Sequence, residues 1–209
     1  MPINWIFSDP IFFVTWILAI LVTLTIHEFS HAAAARFFGD STAEQAGRMT
    51  LNPLAHLDPL GFLMLVFVGF GWAKPVPVNL GNTKNPRLAE GVISLAGPFS
   101  NFLGIFIFGI ILKFVAPALG PYNLLTNFLF LLVLVNTILM VFNLIPIPPL
   151  DGSKVLFSLL PSRFDEFKYK FSINGPWILL VLVILDSFLP RSILGSFFNL
   201  ILNFLARFL

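Results

Sequence analysis

The 209-residue sequence contains no cysteine, only three histidines and few charged residues. The lack of cysteine excludes disulfides and thiolate metal ligands, so a protein-bound metal would need His, Asp or Glu. Charged residues make up 11% of the chain, whereas about 25% is ordinary for a soluble domain. This composition excludes an ordinary soluble enzyme.

Hydrophobic residues account for 57% of the chain, and 26 residues are Phe. Such a composition predicts an all-α integral membrane protein that forms one membrane-embedded domain over residues 1–209, with the lipid bilayer as its surroundings. The first apolar run is too long for a signal peptide and has no basic segment before it, so we expect no cleaved leader. No basic stretch carries interleaved aromatic residues, which argues against a nucleic-acid partner. No oligomeric state is predicted.

A His-Glu-x-x-His motif, His27 to His31, lies inside the apolar run Ile11–Phe38. On a helix, residues four apart share one face, so the two imidazoles can bind one metal ion while Glu28 lies beside them. An ionisable residue at the centre of a membrane helix costs about 2.5–3.5 kcal/mol on insertion scales. A divalent metal would offset this cost, and the alternative is a polar cavity without metal. The motif therefore predicts a zinc hydrolase site that needs a third protein ligand.

Hydropathy predicts about five membrane-spanning helices and a short segment after the first. The short segment, Gly61–Trp72, falls below the roughly 20 residues that a span needs, so we expect a re-entrant segment, a hairpin or a half-helix. The prolines after it favour extended chain. Residues 153–160 are expected to form a short helix. The predicted spans are Ile11–Phe38, Leu88–Ala116, Asn123–Asn143, Pro176–Leu189 and Ser192–Leu209.

The basic residues predict how these spans are oriented. If Gly61–Trp72 does not cross, ten Lys and Arg residues lie on one side of the membrane and only Lys113 and Arg191 on the other. Because Lys and Arg accumulate in cytoplasmic loops, the N-terminus is expected outside, and the C-terminus and the opening of the active site on the cytoplasmic side. The membrane is expected to be the plasma membrane of a prokaryote.

Four residues are candidates for the third metal ligand: Asp151, His56, Asp58 and Glu90. Asp151 is favoured because it follows an apolar, proline-rich stretch, where a bare carboxylate is costly unless it is paired or bound to a metal. The alternative for Asp151 is the N-cap of the short helix that follows. For His56 and Asp58 an interfacial loop is the favoured interpretation.

Five motifs occur in order between about residues 20 and 155, and together they resemble the site-2 protease family of intramembrane zinc metalloproteases, peptidase family M50. The motifs are His27-Glu28-x-x-His31, Asn52-Pro53-x-Ala55-His56-x-Asp58-Pro59-x-Gly61, Gly71-Trp72-Ala73-Lys74-Pro75-Val76-Pro77-Val78-Asn79, Ala96-Gly97-Pro98-x-x-Asn101 and Asn143-Leu144-x-Pro146-x-Pro148-Pro149-Leu150-Asp151-Gly152. The match is to a short form, without the PDZ or CBS domain of larger relatives.

The resemblance implies one zinc ion per chain, bound by His27, His31 and Asp151, with Glu28 as the general base. It implies that Asn143 contacts the substrate backbone or the oxyanion, and it leaves His56 and Asn101 as accessory candidates. The implied activity is hydrolysis of peptide bonds within or next to a transmembrane segment of a membrane protein substrate. It also implies strand or hairpin structure after the first span, beside which an extended substrate would lie.

Two other classes of protein remain as alternatives. A metal transporter would also place His and carboxylates inside spans, but it usually contains paired repeats with a broken helix in each half. A catalytically silent scaffold is disfavoured by the intact set of His27, Glu28, His31 and Asp151. Outside this set, Asn136 is expected to form an interhelical hydrogen bond, and Asp186 to be a solvated carboxylate at the membrane surface.

Overall fold

A computed structural model describes residues 2–189 and 192–205 of the chain, without the side chains of residues 187, 194 and 205. The described residues form helices and no strand. The α-helices are α1 (Trp5–Ser8), α2 (Pro10–Phe37), α3 (Thr42–Gln45), α4 (Pro59–Val68), α5 (Pro86–Leu119), α6 (Leu124–Asn143), α7 (Asp151–Leu159), α8 (Asp165–Phe188) and α9 (Ile193–Leu205). Short 3₁₀ turns cover Pro2–Asn4, Pro53–Ala55, Leu80–Asn82 and Ser162–Phe164.

Helices α2, α5 and α6 begin at proline residues or at capping side chains that the sequence supplies. Proline is the first residue of α2 and of α5, where its missing N–H costs nothing. Asp9 caps α2 by accepting a hydrogen bond from the Phe12 backbone N–H at 3.0 Å, and Asn85 and Asn123 cap α5 and α6 in the same way. Within the described part of the chain, four segments are long and apolar enough to cross a membrane: α2, α5, α6 and Ser162–Asp186, which comprises most of α8.

The structure differs from the sequence prediction at the C-terminal helices. The predicted span Pro176–Leu189 is wrong at its start, because α8 already begins at Asp165 and passes through Pro176 without ending. The predicted last span, 192–209, corresponds to the 13-residue helix α9, which is too short to be counted among the candidate spans. Residues 206–209 of the predicted span lie outside the described residues, and so does the predicted break at residues 190 and 191.

The short segment after the first span forms one ten-residue helix, α4, rather than a hairpin. It ends at Gly69, which takes the left-handed conformation at φ 87° that glycine tolerates best. The chain then continues as extended backbone, and its one β-bridge among the described residues pairs Leu57 with Ala73. The strand structure that the resemblance implied is therefore reduced to a single bridge.

The end of this extended segment is fixed by Asp40, which is fully buried just after α2. Its carboxylate accepts hydrogen bonds from the backbone N–H of Asn79 at 2.7 Å, from the side-chain amide of Asn82 at 2.9 Å, and from the hydroxyl and backbone N–H of Thr42. Burial alone would raise the pKa of Asp40, but these hydrogen bonds outweigh it and lower the pKa below the ordinary 3.8.

The interior of the helix bundle is partly polar, while its surface is apolar. Helix α5 packs against α2, α6 and α7, and α2 also packs against α6. Asn136 on α6 donates a hydrogen bond to the Thr23 hydroxyl on α2 at 3.0 Å, which is the interhelical bond expected for it. Large apolar side chains such as Phe106 and Ile107 are exposed instead. This distribution suits a protein surrounded by lipid.

Asp186, expected to be a solvated carboxylate, instead connects two helices. It accepts hydrogen bonds from the Ser192 hydroxyl and from the Ile193 backbone N–H, each at 2.6 Å. The side chain therefore caps the start of α9 from the end of α8.

Candidate metal centre

Three buried side chains converge between α2 and α7. The Nε2 atoms of His27 and His31 are 3.1 Å apart, and the Oδ2 atom of Asp151 lies 3.3 Å from the first and 3.1 Å from the second. Among the described residues, this is the one group of three or more His, Asp or Glu residues whose ligand atoms lie close enough to hold a metal ion. The two histidines, predicted from their helical spacing, and Asp151, predicted from its apolar setting, therefore meet at one site.

The distances and charges of the group fit a zinc ion. Zinc bonds of about 2.0–2.1 Å in tetrahedral geometry would separate the ligand atoms by roughly 3.3 Å, close to the three observed distances. Two imidazole nitrogens and a carboxylate oxygen that face one another can all be satisfied together by one shared cation. With neutral histidines, Asp151 and the buried Glu28 together carry a formal charge of −2, which a divalent ion neutralises.

His31 is held in the tautomer that can bind a metal. Its Nδ1 lies 2.7 Å from the backbone carbonyl oxygen of Ile93 on α5. Because a carbonyl oxygen only accepts, Nδ1 carries the proton and Nε2 keeps its lone pair. No side-chain pattern in the sequence could have predicted a role for the Ile93 carbonyl.

Gly97 lies directly against the two histidines. A Cβ atom added there would be 2.6 Å from both Nε2 and Cε1 of His27 and closer still to Nε2 of His31. Any side chain at residue 97 would therefore occupy the space beside the ligand atoms. The Gly-Pro pair was part of the motif that resembles the protease family, but the sequence alone did not indicate that glycine keeps this space open.

Asp151 is the first residue of α7, and Leu150 is the N-cap. Its side chain points to the histidines rather than capping the helix, because Oδ2 faces both imidazoles. The other carboxylate oxygen, Oδ1, lies 3.6 Å from Nζ of the half-exposed Lys154. The spacing of three residues on one helix is the signal in the sequence that could have found this pair.

The remaining candidates lie outside the group of three. His56 is fully buried in the loop before α4, with Nε2 2.9 Å from the Thr50 carbonyl. Asp58 caps α4 by accepting from the Gly61 backbone N–H, and Glu90 is partly buried on α5. Asn143, at the end of α6, donates to the Leu139 carbonyl at 3.0 Å. Asn101 contacts His27 directly, with its side-chain nitrogen 3.1 Å from Nδ1.

Comparison with known proteins agrees with this site. The chain is 41% identical over 150 residues to "Putative zinc metalloprotease YwhC" of Bacillus subtilis, an alignment that covers 69% of this chain and 68% of the relative. The chain belongs to peptidase family M50. The profile of that family matches residues 118–184. No solved structure gives a significant match.

Two further relatives of the M50 chain carry similar names. "Putative zinc metalloprotease Rip2" of Mycolicibacterium smegmatis is 31% identical over 194 residues, with 87% of this chain and 72% of the relative aligned. "Putative zinc metalloprotease MJ0611" of Methanocaldococcus jannaschii is 30% identical over 161 residues, with 75% of this chain and 78% of the relative aligned. The chain is therefore an integral membrane zinc metalloendopeptidase, and Zn²⁺ is its cofactor.

Proposed function

We propose that this M50 protein hydrolyses peptide bonds within or next to a transmembrane segment of its substrates, with zinc held by His27, His31 and Asp151. The observation that carries the proposal is the triangle of ligand atoms, two of which lie on α2, a helix that is long and apolar enough to cross a membrane. A bound zinc ion lowers the pKa of a coordinated water toward about 7, which supplies a nucleophile at neutral pH.

In this proposal Glu28 is the general base. It is buried and directly follows His27 on α2, and it does not belong to the group of three ligand side chains. From there it can accept a proton from water and pass it to the leaving amine, a role worth typically about 10²–10⁴-fold in rate. Asn143 is proposed to bind the substrate backbone or the oxyanion, for which its amide would turn away from the Leu139 carbonyl.

The extended chain before Asn79 is proposed to present the substrate. The backbone N–H of Lys74 donates to the His56 carbonyl at 2.9 Å, and its carbonyl accepts from the Arg48 guanidinium. Both groups are therefore used on the side of the extended chain that faces His56 and Arg48. Consecutive residues of an extended chain point in opposite directions, so the N–H and carbonyl of Ala73 face the other side. A partly unwound substrate segment could pair with them as an added strand. On this basis His56 supports the presenting segment through its backbone carbonyl.

The proposed orientation places the N-terminus outside and the C-terminus and the site opening in the cytoplasm of a prokaryote. The basic residues support it, and YwhC and Rip2 come from bacteria. Because the chain has no cysteine, single cysteines introduced at Asn82 and at Tyr122 can be labelled without background. A membrane-impermeant reagent applied to intact cells should label the second and not the first. The reverse pattern would contradict the orientation.

The first test of the proposal is zinc per chain in detergent-purified protein. Wild type should hold about one zinc, Asp151→Ala much less, and Asp58→Ala as much as wild type, because Asp58 caps α4 away from the group. Equal zinc in wild type and Asp151→Ala would contradict the assigned ligand.

The second test separates a protease from a transporter. Glu28→Gln should keep its zinc and lose proteolysis, read out as new peptide termini in membranes that contain wild-type protein but not the variant. Undiminished cleavage by a zinc-loaded Glu28→Gln variant would remove Glu28 as the base. Metal flux that is unaltered by the variant, with no cleavage in wild type, would favour the transporter.

A further inference from the structure

Asn101 is the fully buried neighbour of His27, and its side-chain oxygen is an unexplained polar atom. The amide nitrogen lies 3.1 Å from Nδ1 of His27. The oxygen, Oδ1, has no hydrogen-bond partner among the described residues and is shielded from solvent. A buried carbonyl oxygen without a donor costs about 1–3 kcal/mol. The orientation of this amide therefore needs an explanation.

The orientation decides where His27 carries its proton. With the amide nitrogen facing the ring, Nδ1 has to accept, so the proton of neutral His27 lies on Nε2. That nitrogen is the one that faces His31 and Asp151, and a protonated Nε2 cannot bind a metal ion. The arrangement at His31 is the opposite, because the Ile93 carbonyl keeps the proton on Nδ1.

Rotation of the amide by 180° exchanges its oxygen and nitrogen without moving other atoms, and side-chain amides are assigned from their hydrogen bonds. We propose that Asn101 is a positioning residue whose side-chain oxygen accepts the Nδ1–H of His27, so that the Nε2 lone pair points at the zinc. This goes beyond the accessory role that the sequence suggested. It uses the same chemistry as the Ile93 carbonyl at His31.

The placement of these groups on α5 supports the proposal. Ile93, Gly97 and Asn101 are spaced by four residues, so they lie on one face of the helix. From this face Ile93 supplies an acceptor for His31, Gly97 supplies the space beside both imidazoles, and Asn101 supplies an acceptor for His27. One face of α5 thus orients both imidazoles without contributing a zinc ligand.

Two variants, Asn101→Asp and Asn101→Leu, test whether Asn101 accepts the hydrogen bond from His27, donates it, or only fills space. Aspartate can only accept from Nδ1–H, whereas leucine has similar volume and no hydrogen bond. We expect Asn101→Leu to bind zinc about 10- to 100-fold more weakly, as measured by competition with a chelator. Asn101→Asp should bind as tightly as wild type or tighter. Equal weakening in both variants, or wild-type affinity in Asn101→Leu, would overturn the proposal.

A matched control is Asn136→Leu, since Asn136 is also a buried asparagine in a span but bonds to Thr23 and Leu132. It should lower thermal stability and leave zinc affinity unchanged. A loss of zinc affinity as large as that of Asn101→Leu would mean that general packing explains both effects, which would also overturn the proposal.

Zinc-loaded wild type provides a measurement that does not depend on the folding of a variant. In protein labelled with ¹⁵N-histidine, the Nδ1–H proton of His31 should exchange slowly with water because it is bonded to Ile93. The Nδ1–H proton of His27 should be equally slow and shifted downfield if Asn101 accepts it. Fast exchange at His27 beside slow exchange at His31 would contradict the proposal.

Discussion

Gly97→Ala is the substitution for which the structure predicts the largest effect from the smallest chemical change. The added methyl would lie 2.6 Å from Nε2 of His27, about 0.8 Å short of the 3.4 Å at which ordinary van der Waals contact begins. The atoms it meets are proposed zinc ligands, and its neighbour on the helix is Pro98, whose ring limits backbone adjustment. The imidazoles therefore have to move.

Overpacking of this kind costs about 1–3 kcal/mol. If the histidines relieve it by leaving their positions, the same energy is lost from zinc binding. At about 1.4 kcal/mol for each tenfold, zinc affinity should fall roughly 5- to 150-fold. Chelator competition on purified protein measures this directly, and thermal unfolding without metal reports whether the fold is retained.

Gly104→Ala is the matched control on the same helix. Its Cβ would meet the Asn136 side chain, 2.5 Å from Oδ1, and none of the zinc ligands. It should lower stability while zinc affinity stays at the wild-type value. A folded Gly97→Ala protein with wild-type zinc affinity would refute the reasoning, because the methyl would then have found space that the structure does not contain.

Three further perturbations test other parts of the molecule. Gly71→Ala would place its Cβ 2.7 Å from Cβ of Leu65, so it should displace the extended segment, reduce substrate cleavage and leave zinc per chain unchanged. Asp40→Asn should lower the free energy of unfolding by about 1–2 kcal/mol at pH 7. Because the folded pKa of Asp40 lies below 3.8, its contribution to the free energy of unfolding is complete above about pH 4 and disappears as the pH falls through the folded pKa. The free energies of unfolding of wild type and Asp40→Asn should therefore converge in acid. Lys154→Ala should change zinc affinity less than about fivefold, since a half-exposed pair with Asp151 at 3.6 Å contributes at most about 1 kcal/mol.

The meeting of three side chains between α2 and α7 was easier to predict from the sequence than the ends of the helices. His27 and His31 are related by local spacing, which any helix enforces, and Asp151 was marked by an apolar setting that a carboxylate avoids without a partner. The roles of Gly97 and of the Ile93 carbonyl depend on how closely α5 approaches α2. That distance results from packing between residues more than 60 positions apart in the chain, and no local sequence pattern predicts it.

The predicted ends of the helices were wrong for a different reason. Pro176 is the predicted start of a span, but the polar residues before it form helix as well, because a single proline removes one backbone hydrogen bond and can kink a helix without ending it. The segment after α2 was correctly limited to a non-spanning length, yet its form as one helix depends on a close approach of backbones. A Cβ at Gly61 would meet the backbone of Trp72, and a Cβ at Gly71 would meet the Gly61 carbonyl, so both glycines are needed there.

The proposed zinc ligands come from two helices whose nearest ligands, His31 and Asp151, are 120 residues apart in the chain. A metal ion that joins them closes a long loop, so its binding energy also counts toward assembly of the bundle. Metal supply then becomes part of folding: a chain without zinc lacks this link between the first and last thirds of its sequence, so it should unfold at a lower temperature than the zinc-loaded protein.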